Sequence, residues 1–246
     1  FNNFQNIRQM GLMRFRPYFS AEPEAGLNVY FEPQFAKAMG ESVVSSNSTT
    51  GTTEQTSGLT SDPSLSIHQA YMNYSSTPLF QARVGRQILG YGDELVIGAL
   101  EWNNVGRSFD GIRLRHETEG KKLDLFWTKL VDTNVNASGT GDYDFFGSYN
   151  NFKKAFGIDE ADLYALYLLD TRGIGPDPLQ LYTFGLRLKS KIDAFDYRIE
   201  TTQQLGQIAG STLGAHGTQG DIELGYRLGS ELGFRVGVEG FYADKE

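Results

Sequence analysis

Basic side chains recur at alternate positions through long stretches of this chain: Arg14, Arg16, Arg83, Arg113, Arg115, Arg187, Lys189, Arg198, Arg227 and Arg235. A guanidinium is a planar, permanently charged fork that binds carboxylates through two parallel hydrogen bonds. A file of such groups on one face could attract and guide anions, which is recognition chemistry and not bond-making. Glu32, Asp124, Glu200, Glu223 and Glu239 share the alternation. Charged pairs on neighbouring strands also brace a sheet without selecting anything, and at any single position the two roles weigh about equally.

Other chemistry finds little to stand on. His68, His116 and His216 lie far apart without metal-ligand spacing and read as isolated surface or interface histidines. Asp142-Tyr143-Asp144 and Asp159-Glu160 lack the spacing of a calcium loop, and Gly139-Thr140-Gly141 lacks the Lys-Ser/Thr that completes a phosphate-binding loop. No local motif pairs a nucleophile with a base. With no cysteine there is no disulfide framework or thiolate site. The expectation is a non-enzyme without metal or cofactor. A net charge of −8 argues against nucleic acid as a partner.

The elements that must hold the charged file are strands. Tyr182, Phe184, Leu186 and Leu188 alternate with Thr183, Gly185, Arg187 and Lys189; Phe195, Tyr197 and Ile199 with Asp196, Arg198 and Glu200; Ile222, Leu224, Tyr226 and Leu228 with Glu223, Gly225 and Arg227. Each such strand is apolar on one face and charged on the other. Runs reach ~9–11 residues, the length that crosses a bilayer at a tilt, while no stretch approaches the ~18–20 apolar residues of a membrane helix. The 29 Gly, 13 Tyr and 17 Phe suit tight turns and aromatic girdles. Lipid-facing Arg or Lys would cost ~2–4 kcal/mol at the midplane, so the charged parity is assigned to a lumen.

The pattern predicts an all-β antiparallel transmembrane barrel over residues 1–246 with about twelve visible strands, near 12–20, 27–37, 66–74, 80–89, 108–117, 122–131, 142–151, 161–169, 180–189, 195–204, 220–228 and 233–242. Short connectors alternate with longer ones, as periplasmic turns alternate with outer loops. The longest loop holds a Ser/Thr/Gly tract over 45–61 that lacks the apolar area to order itself by packing. In the 90–107 loop, Asp93, Glu94, Glu101 and Arg107, with Asp110 just beyond, suggest a segment tied by ion pairs; folded into the lumen it would form a constriction. Turn parity puts both chain ends at the outer surface. Together with the lack of a terminal aromatic and of a signal peptide, that predicts a piece of a larger barrel.

Gly85-Arg86-Gln87, Tyr91-Gly92-Asp93-Glu94, Glu101-Trp102-Asn103-Asn104, Gly106-Arg107-Ser108-Phe109-Asp110-Gly111 and Arg113-Leu114-Arg115 resemble the alginate-export porin family. Gln69-Ala70-Tyr71 and Arg14-Phe15-Arg16 are similar to the same pattern, so the likeness is dense over 69–115 and diffuse elsewhere. The resemblance implies an outer-membrane barrel of more strands than are visible here. It also implies a basic lumen that passes an anionic polysaccharide or small organic anions, with membrane lipid and periplasmic export proteins as partners. Arg86 falls on the apolar parity with Phe80, Ala82 and Val84, so a membrane interface or a bulge would have to re-aim it; the motif keeps it a candidate. A general porin for small solutes and a structural or adhesive barrel remain the alternatives.

Overall fold

The computed structural model describes residues 11–39, 65–132, 142–155, 157–171, 178–207, 214–229 and 233–245. The tract over 45–61 and Gly139 to Gly141 lie outside them. Thirteen strands follow: β1 (Gly11–Phe15), β2 (Phe19–Glu24), β3 (Leu27–Met39), β4 (Ser66–Thr77), β5 (Phe80–Gln87), β6 (Phe109–Thr118), β7 (Lys121–Asp132), β8 (Asp142–Ala155), β9 (Ile158–Asp170), β10 (Leu179–Ile192), β11 (Phe195–Gln207), β12 (Gly214–Leu228) and β13 (Phe234–Lys245). Hydrogen-bonded neighbours follow chain order from β3 to β13, with β1 and β2 both pairing β3. The chain forms two compact units, residues 1–72 with 85–108 and residues 73–84 with 109–246.

The strand expected over 12–20 is two strands, because Pro17 has no amide to offer a ladder. Its halves pair β3 at different places, Arg14 opposite Ala36 and Phe19 opposite Phe31. The connector expected over 152–160 is largely strand: Lys153 pairs Glu160 and Ala155 pairs Ile158. The polar run Asn150-Asn151 and Lys153-Lys154 hides the alternation there. Ala21 to Glu24, expected as connector, belongs to β2, and Gly26, at φ 83°, takes the backbone conformation that closes the β2–β3 turn; the turns at 78–79, 119–120 and 193–194 fall within the connectors expected for them.

In the second unit the sheet is inside out relative to a water-soluble sandwich. Leu125, Leu163 and Phe184 are 57%, 54% and 51% exposed, whereas Asp124 and Asp162, one residue away on the opposite face, are 0% and 1% exposed. Burying ions while exposing leucines is costly in water. It is the expected arrangement when hydrocarbon solvates the outer face. No helix among the described residues is long and apolar enough to cross a membrane; strands of 10 to 15 residues from β6 to β13 have the reach. Across the apolar face Trp127, Phe146, Tyr167 and Tyr182 stand side by side on β7 to β10, each ring stacked on the next at 6.4, 5.9 and 4.7 Å. The row lies toward the long-loop ends of those strands, and the Trp127 indole donates to Asp144 at 2.9 Å. An amphipathic girdle of this kind marks a membrane interface.

Candidate functional site

In the first unit, the side chains of Arg14, Arg16, Gln34 and His68 lie opposite the exposed Met13, Phe15, Val29 and Phe31. Residues 88–108, between β5 and β6, fold onto this polar side. Leu89, Ile97 and Ala99 bury their side chains there, giving the loop an apolar anchor. Arg14 Nη1 donates to the main-chain oxygens of Glu101 at 3.0 Å and Asn103 at 2.9 Å. Arg16 donates to Gln34 Oε1 at 2.5 Å, Glu101 Oε2 at 2.6 Å and the Val105 oxygen at 3.1 Å. His68 Nε2 lies 3.1 Å from Glu101 Oε1, and since a carboxylate only accepts, that nitrogen carries the proton. Ser108 Oγ donates to the His68 oxygen at 2.5 Å and sits 3.1 Å from Nδ1.

The rest of the loop is tied differently from the expectation. Glu101 turns to Arg14, Arg16 and His68 on the wall rather than to Arg107, which is exposed and held through its amide, a donor to the Ala99 oxygen at 2.6 Å. Glu94 accepts from the Ala99 amide at 3.1 Å, an internal clip on the loop. Asp93 is exposed, and Asp110 lies within β6 opposite Lys129. His68, read above as an isolated surface or interface residue, is 2% exposed and a partner of Glu101. Gln34 and the loop carbonyls left no sequence signal, because a main-chain acceptor can be supplied by any residue.

In the second unit the polar face is a lattice of compensated charges. Residues directly opposite on successive strands share a face, and one row runs Asn151, Asp162, Arg187, Glu200, Asp221. The next runs Lys153, Glu160, Lys189, Arg198, Glu223, Glu239. Ion pairs step diagonally between rows. Arg187 Nη1 reaches Glu160 at 2.8 Å and Asp162 at 3.0 Å, and Arg198 meets Asp221, Glu223 and Glu239 at 3.0, 3.3 and 3.0 Å. Arg235 binds Asp196 at 2.6 Å and Glu223 at 3.0 Å. Arg115 grips Asp124 with two bonds of 2.7 Å. Tyr149 and Tyr164, ring centroids 5.1 Å apart, donate to Asp162 at 2.9 Å and Glu200 at 2.7 Å.

The remaining arginines occupy distinct settings. Arg113 is buried opposite Phe126, Arg83 donates to Asn73 at 3.3 Å, and Arg227 is exposed with Asp196 4.0 Å away. Arg86 keeps the parity of exposed Val84 and reaches the Ile67 main-chain oxygen at 3.3 Å. Glu160 falls in the connector expected over 152–160, whereas the strand carrying it begins at Ile158. Asp162 lies inside the strand expected over 161–169, two residues from Tyr164 on the same parity, but the expected charged file does not include it.

Among solved structures, the chain is similar to OmpT, an outer membrane protein of Vibrio cholerae, in its trimer form: 9% identity, 96% of this chain and 87% of that chain covered, TM-score 0.49. A loop-deletion mutant of OmpT aligns at 10% identity over 96% and 93%, TM-score 0.47. A mutant of the Rh. blastica porin aligns at 12% over 96% and 91%, TM-score 0.43. No curated protein matches the chain. The model of the family described as alginate export matches residues 7–243. With that match over nearly the whole sequence, and with an apolar face turned outward on strands long enough to cross a bilayer, the chain belongs to the alginate-export family and is an integral β-barrel channel of the bacterial outer membrane.

Proposed function

We propose that this channel passively conducts an anionic polysaccharide, a polymer of uronates, along its polar face. Arg14, Arg16, Arg83, Arg115, Arg198 and Arg227 line the path, Arg113 and Arg187 are buried within its wall, and residues 88–108 form the constriction. The observation that carries the reading is the accessibility of two arginines among many that are neutralised. Arg14 remains 32% exposed and bonds to neutral main-chain oxygens, with Glu101 3.6 Å off. Arg227 is 53% exposed with its carboxylate neighbour 4.0 Å away. Both keep positive potential directed at solvent, which a passing carboxylate can use. The family's description as alginate export supplies the substrate class. Arg86, bonded along the apolar parity, stands apart from the path.

A second reading, a general porin, is favoured by the compensation in the second unit, where Arg187 and Arg198 are each shared between carboxylates. Single-channel currents of the full-length protein in planar bilayers discriminate the two. Anion selectivity and block by uronate oligomers, both weakened by Arg83→Gln with Arg227→Gln, are expected. Unselective current that uronate oligomers leave unblocked would make this a general porin.

A further inference from the structure

Glu101 is held in the first unit as a bound ligand is held. Its acceptor atoms come from the loop, while the donors come from the wall: Arg16 at 2.6 Å, His68 at 3.1 Å and Arg14 at 3.6 Å. The donors are fixed independently of it. Gln34 Oε1 accepts from Arg16 Nε, and Ser108 holds the His68 ring and its main-chain oxygen. His68 is buried and Arg16 nearly so, whereas the Glu101 side chain is 40% exposed. Two of the three donors are enclosed, while Arg14 and the resident carboxylate are open to solvent.

The loop, moreover, does not depend on this carboxylate for its place. Buried Leu89, Ile97 and Ala99 anchor it, and main-chain oxygens of Glu101, Asn103 and Val105 accept from Arg14 and Arg16. Gly106, at φ 68°, lets the backbone come so near that a Cβ there would sit 2.6 Å from Arg16 Nη2. The Glu101 side chain can therefore swing out while the loop backbone stays.

We propose that Arg14, Arg16 and His68 form a carboxylate-binding site for one uronate of the passing polymer, occupied at rest by Glu101, which the substrate carboxylate displaces. The proposal rests on the conduit reading above. Exchange replaces one carboxylate by another on the same donors, so hydrogen bonds and charge are conserved at the site. A free monovalent anion must outcompete a tethered carboxylate whose effective concentration is in the millimolar range or above. A polymer meets that competition because its neighbouring uronates hold the exchanging group nearby. Glu101 thus acts as an internal competitor that favours polyuronates over small anions.

The test uses the full-length protein in planar bilayers, with uronate oligomers, monomeric galacturonate and neutral oligosaccharides as probes. Glu101→Gln is expected to lower the half-blocking concentration of oligouronates by about tenfold, the effect of removing one competing charge pair, and to let galacturonate block. Arg14→Gln with Arg16→Gln should abolish both effects, and neutral oligosaccharides should block no variant. In a Trp127→Phe background Trp102, 76% exposed and adjacent to Glu101, reports the exchange: its emission should shift with oligouronate when Glu101 is present and stay fixed in Glu101→Gln. Equal half-blocking concentrations with and without Glu101, weaker block in Glu101→Gln, or a Trp102 emission that ignores oligouronate would overturn the proposal. Oligouronate block that ignores Glu101, Arg14 and Arg16 removes this site and spares the conduit. Unselective, unblocked current in every variant removes the conduit itself.

Discussion

Two sets of arginine–carboxylate pairs, built from the same residue types on the same alternation, differ in which partner is buried. In the Arg187–Asp162 pair both partners are: each is 1% exposed, and Tyr149 and Asn151 occupy further acceptor sites on Asp162, while the second carboxylate on Arg187, Glu160, is 32% exposed. Around Arg16 the base is enclosed and the acid, Glu101, stays accessible. A pair desolvated on both sides cannot be opened without stranding a charge. A pair with one wet partner can exchange that partner at little cost. The first is bracing and the second a place where a ligand can compete, although the sequence writes both as Arg and Glu or Asp.

The sharpest way to break this contrast is to remove one charge from each set. Arg187→Ala leaves Asp162 buried beside Tyr149 without its guanidinium, and the expected loss is about 3–5 kcal/mol, measured as urea unfolding of the protein refolded into lipid vesicles. Adding Asp162→Asn should restore part of it. Glu101→Gln should cost under about 1 kcal/mol in the same assay, because its pair is solvent-screened. Comparable losses at the two sites would erase the distinction.

Glycine substitutions sharpen the same point through packing. Tyr164 lies across Gly185, its directly opposite neighbour, and a Cβ at 185 would meet the ring at 2.0 Å. The ring must move off its bonds to Glu200 and Thr202, so Gly185→Ala should destabilise by about 1–3 kcal/mol. Gly220→Ala, where an added Cβ meets nothing within 4 Å, is the matched control and should be near neutral. Equal unfolding midpoints for the two would show that the buried lattice is loose.

Strand existence and face were legible because period-two alternation is imposed by the pleat itself, and the lipid-facing set Leu163, Phe184 and Leu186 needs no partner to declare its side. The strand ends were less legible. Lys153 and Glu160 continue a ladder through polar pairing, which alternation does not record. Pairing between distant segments was the least legible. Nothing in the spacing of Glu101, 85 residues from Arg16, says that the loop folds onto β1 and β3, and Arg107 and Asp110 were the nearer candidates. His68 reads as isolated until the structure puts Glu101 beside it.

A smaller effect is expected on the apolar face, which both alternatives for the lumen share. Trp127→Leu removes the end of the stacked row and the indole bond to Asp144, and should cost about 0.5–1.5 kcal/mol. Conductance and selectivity should be unchanged. A change in selectivity from this position would mean that the face carrying it is not the one turned to lipid.

The smallest expected effect on stability is at Arg227, and that is what makes it informative. Its side chain is 53% exposed and its nearest carboxylate, Asp196, is already gripped by Arg235 at 2.6 Å. Asp196 therefore loses little when Arg227 becomes Gln, and the unfolding midpoint should not move measurably. An accessible, incompletely neutralised cation acts on ions in the path, so the reversal potential in a salt gradient should shift toward cation preference. The shift should shrink as ionic strength rises and the Debye length falls below ~10 Å. A destabilised Arg227→Gln with unaltered selectivity would place this arginine with the bracing lattice after all, leaving Arg14 as the accessible cation on which the anion-guiding role rests.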